Sequence, residues 1–66
     1  LDSLSNREMQ VLKLLASGQT VGDIARELSL SANTISTYRA RLFDKLDIKN
    51  PVELVSFAAR HQLVAL

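Results

Sequence analysis

From Asn33 to Arg41 the sequence reads Asn-Thr-Ile-Ser-Thr-Tyr-Arg-Ala-Arg. An amide, several hydroxyls, methyl groups and guanidinium ions alternate there with apolar residues. No histidine or carboxylate lies within the run to turn a hydroxyl into a nucleophile. Amides and hydroxyls exchange hydrogen bonds, and guanidinium ions pair with anions. The chemistry on offer is therefore recognition. Elsewhere the chain is poor in reactive groups: His61 is the single histidine and there is no cysteine. No carboxylate pair is spaced for acid–base work, and His61 lacks partners for a metal site, so neither catalysis nor a cofactor is expected.

A recognition surface needs a rigid element to carry it. Ile35, Tyr38, Leu42 and Leu46 recur at helical spacing, predicting a helix over about 32–46. With Ile35 at the centre of its inward face and about 100° per residue, Asn33, Ser36, Thr37, Ala40, Arg41 and Asp44 point outward. The short residues among them leave a slim surface that a major groove accepts. Asparagine can bond adenine through two hydrogen bonds, hydroxyls address several base edges, and the threonine methyl and alanine can meet thymine methyls. Arg41 and Lys45 lie further along and suit phosphates, which position a protein without reading sequence. Asp44 repels DNA, so the far end of the helix is expected to leave the groove. Tyr38 is expected to serve the core, with a wet hydroxyl.

Such a helix must be held from behind. A shorter helix over about 21–28 precedes it, with Ile24, Ala25 and Leu28 inward. Ala25 is small enough to let two backbones approach, and Ile35 is expected to close that contact. In the turn Ser29-Leu30-Ser31 the leucine pins the corner, and Ser29 occupies the slot where many such turns carry glycine. Thr20 followed by Asp23 resembles a capping box, as does Ser5 followed by Glu8, which opens a first helix over about 6–17. Gly18 stops that helix. Ser31 caps the third helix, and Asn50-Pro51-Val52-Glu53 opens a fourth over about 51–61. The first and fourth helices offer Val11, Leu12, Leu14, Leu15, Leu54, Phe57 and Ala58 to the core. Gly22 costs about 1 kcal/mol relative to alanine within its helix, for no reason visible in the sequence. No segment alternates long enough to argue for a strand. The fold class expected is all-α, a four-helix bundle containing a helix-turn-helix.

Sixty-six residues, 47% of them hydrophobic, allow one small domain over 1–66. The chain begins at Leu1 without methionine, and is expected to be a piece cut from a longer protein or a processed one. No apolar run approaches the roughly 18 residues that would span a bilayer, and no signal-peptide pattern is visible, so a cytoplasmic location and no membrane partner are expected. Net charge is only +1. Arg7, Lys13 and Arg26 against Asp2, Glu8, Asp23 and Glu27 leave residues 1–30 at −1. Arg39, Arg41, Lys45, Lys49 and Arg60 against Asp44, Asp47 and Glu53 leave residues 31–66 at +2. The positive excess sits on and after the proposed reading helix, and it is modest enough that one copy should bind DNA weakly.

The residues Leu4-Ser5-Asn6-Arg7-Glu8, Val11-Leu12, Leu15-Ala16-Ser17-Gly18, Asp23-Ile24-Ala25, Leu28, Leu30-Ser31, Thr34-Ile35-Ser36-Thr37-Tyr38, Leu42 and Lys45-Leu46 together resemble the LuxR/FixJ (NarL-type) helix-turn-helix domain. That domain is the C-terminal output module of many bacterial response regulators and quorum-sensing receptors. The likeness runs from Leu4 to Leu63 without insertion. It implies a four-helix bundle whose third helix enters the major groove, bound as a dimer to inverted repeats. It implies base contacts from Ser36, Thr37 and Ala40, to which the outward geometry adds Asn33. Backbone contacts are implied at the starts of helices two and three, here Thr20, Ser31 and Thr34, and at Arg41 and Lys45. The fourth helix is implied as the dimer contact, and Val52, Val55 and Ala59 form a second apolar stripe on it. Double-stranded DNA, a second copy, RNA polymerase and the protein's own N-terminal domain are the implied partners. Two departures stand out. Gln62 replaces a glycine common near the end of the last helix, so that helix continues or ends under strain. Ser36 and Ala40 replace the basic residues frequent on the reading helix, shifting weight to Asn33, Thr37, bridging water and DNA shape. The rival reading is a helical protein-interaction module that uses the same exposed face to dock on another protein.

Overall fold

The computed structural model describes residues 4–62. Among them are four helices and no strand: α1 (Asn6–Ala16), α2 (Val21–Leu28), α3 (Ala32–Lys45) and α4 (Pro51–Arg60). Each begins at the expected cap, because side-chain oxygens satisfy amides that the first turn leaves without partners. Ser5 Oγ accepts from Glu8 N at 3.1 Å while Glu8 Oε1 accepts from Ser5 N at 2.9 Å. Thr20 and Asp23 form the same reciprocal pair at 3.1 and 3.3 Å. Ser31 Oγ accepts from Thr34 N and Asn50 Oδ1 from Glu53 N.

The helices end one residue earlier than the periodicity suggests at Ser17, Leu46 and His61, which act as C-caps. Left-handed residues then turn the chain: Gly18 (φ 98°), Ser29 (φ 58°), Asp47 (φ 53°) and Gln62 (φ 57°). Ser29 occupies the glycine slot as expected, and Leu30 N donates to Ala25 O at 2.9 Å across that corner. Gln62 confirms the strained end of α4. A left-handed conformation costs an ordinary side chain roughly 1–2 kcal/mol.

Val11, Leu12, Ile24, Ile35, Leu42, Leu54 and Ala58 form the sealed centre, with Ala25 almost as enclosed. Leu14, Leu15, Leu28, Tyr38, Leu46 and Phe57, all expected inside, are half-buried around it. Ile48 and Glu8 are buried without having been expected there. Ile48 sits in the turn between α3 and α4, where no helical period marks an inward position. α3 packs on both α1 and α2, and α4 packs on α1. Among the described residues, open surface grooves of about 440 and 340 Å³ flank α4.

Candidate nucleic-acid interface

Ile35 and Leu42 on α3 are fully enclosed, whereas Asn33, Ser36, Thr37, Ala40, Arg41 and Asp44 are exposed. The inward and outward sets therefore separate as the 3.6-residue period requires. Ile35 belongs to the same core cluster as Ile24 and Ala25 of α2, so the helix behind supports the outer face through small and branched side chains. Tyr38 is half-buried against that core.

Within the outer face the polar groups differ in what they already bond. Thr37 Oγ1 donates to the Asn33 carbonyl at 3.0 Å. Among the described residues, the Asn33 amide, the Ser36 hydroxyl and the Arg41 guanidinium have no such partner. Arg39, one position to the side, lies over the Phe43 ring with 4.4 Å from guanidinium carbon to centroid. That cation–π contact turns it toward α3's own surface.

The helix starts lie beside this face. Thr20 and Ser31 are exposed, Thr34 is half-buried, and the Ser31 and Thr34 hydroxyls are 2.9 Å apart. All three hydroxyls thus hold local bonds. Asp23 pairs with Arg26. Hydrogen bonds from Thr20, first from its backbone N–H and then its side chain, hold the Asp23 carboxyl below the usual range, with help from the Arg26 charge.

Lys45 departs from the simple picture of a cation offered to phosphate. Its Nζ lies 2.9 and 3.2 Å from the two carboxylate oxygens of Glu8. Glu8 is 4% exposed and also caps α1. The backbone N–H of Ser5 and then the Lys45 ammonium keep its carboxyl ionised to lower pH than an ordinary glutamate. Residue spacing places Glu8 at its cap and Lys45 beside the DNA-facing side of α3, and no local signal joins the two.

On α4, Val52 is 75% and Val55 41% exposed. Ala59 is half-buried rather than open. The apolar stripe is thus uncovered chiefly at its first two members, while Leu54 and Ala58 seal the opposite side. His61 stacks on Phe57, ring centroids 4.3 Å apart. Among the described residues no three carboxylate or histidine groups converge as a metal site would need, and no helix is long and apolar enough to cross a membrane.

Residues 2–58 match the family described as bacterial regulatory proteins, luxR family. The chain is 46% identical over 61 residues to response regulator UvrY of Escherichia coli, covering 92% of this chain and 28% of that protein. It is 46% identical over 63 residues to response regulator GacA of Pseudomonas aeruginosa, covering 96% and 29%. Against the virulence-factor transcription regulator BvgA of Bordetella pertussis the identity is 50% over 60 residues, covering 91% and 29%. The chain spans under a third of the length of these relatives. With a matched model over most of its length and a supported, uncovered third helix, the chain belongs to the luxR family of bacterial regulatory proteins, as a helix-turn-helix domain that binds DNA in transcription regulation rather than an enzyme.

Proposed function

We propose that the domain lays α3 in the major groove of double-stranded DNA and reads a half-site through Asn33, Ser36, Thr37 and Ala40. One observation carries this reading: that side of α3 is exposed while Ile35 and Leu42 behind it are sealed. Arg41 grips phosphate, assisted by the starts of α2 and α3 at Thr20, Ser31 and Thr34, where helix N-termini favour anions. Lys45 contributes less, because Glu8 shares its charge. Two copies pair through Val52, Val55 and Ala59 of α4 and bind an inverted repeat. Pairing compensates for a single domain of net charge +1, whose phosphate attraction alone is small. The names of the relatives UvrY and GacA support a parent response regulator. In it an N-terminal domain would control access to DNA, contact with RNA polymerase would follow binding, and the site of action would be the cytoplasm.

A salt titration of binding to a palindromic duplex tests the proposal. Log K should fall linearly with log salt, and Arg41→Ala should weaken all duplexes similarly and reduce the slope by roughly one unit. Salt-independent binding, or none, would favour a protein-docking module instead.

A further inference from the structure

Thr37 is the one polar member of the reading face whose hydrogen-bonding group is already committed. Its hydroxyl donates to the Asn33 carbonyl, the bond to the preceding turn that serine and threonine often make in helices. The hydroxyl and the methyl are two branches of one tetrahedral Cβ. With the hydroxyl turned back onto the helix, the methyl is the branch left to meet a ligand. Ala40, three residues on and therefore its neighbour on the helix surface, adds a second methyl-sized group and is likewise exposed. Asn33 and Ser36 on the preceding turn keep their hydrogen-bonding groups without a partner among the described residues.

Resting on the groove reading proposed above, we infer that Thr37 reads the 5-methyl group of a thymine through its own methyl, its hydroxyl serving the helix. The reading face is then divided. Asn33 and Ser36 form a hydrogen-bonding end, and Thr37 and Ala40 form an apolar end that prefers thymine, the only base with a methyl in the major groove. The rival mode is hydroxyl readout. The oxygen keeps acceptor lone pairs after donating, and through them it would select an amino group on adenine or cytosine.

The two modes separate cleanly. Duplexes are selected from a random-sequence pool with this chain, and each thymine of the preferred duplex is replaced singly by deoxyuridine, which deletes only the methyl. At one thymine of each half-site the replacement should weaken binding about fourfold, the worth of one buried methyl group. Thr37→Val keeps the methyl and should keep that discrimination. Thr37→Ser can keep the back-bonded hydroxyl but lacks the methyl, and should bind both duplexes alike. Circular-dichroism melts of the variants establish that all are folded. The inference is overturned if no thymine shows the effect, or if serine retains the discrimination and valine loses it. A pool that yields no enriched duplex would refute the groove reading itself, and this assignment with it.

Discussion

Glu8 and Lys45, 37 residues apart in sequence, are joined by two hydrogen bonds between the ammonium and both carboxylate oxygens. The carboxylate that closes the first turn of α1 thereby also anchors the last turn of α3. A single buried group thus couples a local cap to the crossing of two helices, and it fixes the far end of the reading helix.

That pair makes stability depend on pH. The Glu8 carboxyl is held below its ordinary value of 4.5 and Asp23 below 3.8. A depressed carboxylate contributes its full stabilisation above the unfolded value and loses it as pH falls through the folded one. The melting temperature should therefore be level from about pH 7 to about pH 5 and drop below about pH 4.5. Glu8→Gln should lower the melting temperature at neutral pH and shrink the acid-induced drop. Thermal melts across this range check both statements, and an unchanged acid limb in Glu8→Gln would remove Glu8 as its source.

The corner between α2 and α3 carries strain that can be relieved. Ser29 adopts φ 58° and ψ 41°, which glycine accepts without its Cβ meeting the following carbonyl. Ser29→Gly should raise stability by about 1 kcal/mol, read by urea denaturation, while duplex binding stays unchanged. A loss of stability would mean that the serine side chain contributes more than its backbone costs.

Position 25 should tolerate no larger side chain. It is almost fully enclosed in the cluster that includes Ile24 and Ile35, so Ala25→Leu should cost roughly 1–3 kcal/mol by overpacking. Equal denaturation midpoints for variant and parent would contradict close approach at this residue.

The exposed end of α4 offers a test of pairing. Val55→Asp puts a charge into the proposed contact between copies and should reduce cooperativity on a duplex with two half-sites while leaving the melting temperature within a few degrees. Cooperativity equal to the parent's would move dimerisation off this helix.

What was legible in the sequence was mostly local. Capping at Ser5, Thr20, Ser31 and Asn50 depends on residues three positions apart, and the two sides of α3 follow from one period, so both could be read without coordinates. Ser29 and Gln62 stood where the chain has to adopt left-handed turns. The Glu8–Lys45 bond was hidden because it depends on how α1 crosses α3, which no spacing encodes. Ile48 was hidden because a turn has no period. The Thr37 bond to Asn33 spans a single turn, and threonine's habit of bonding the carbonyl four residues back was the available signal. A methyl group at Gly22 would meet only Thr20 Oγ1, at 3.8 Å; nothing in the structure explains that glycine.

Backbone amide chemical shifts of the domain, followed while a selected palindromic duplex is added, report directly which surface DNA covers. The largest perturbations should fall from Asn33 to Arg41 and at the starts of α2 and α3. Leu54 and Ala58 on the buried side of α4 should change little. Perturbations centred on the grooves flanking α4, with residues 33–41 unmoved, would contradict placement of the third helix in the major groove.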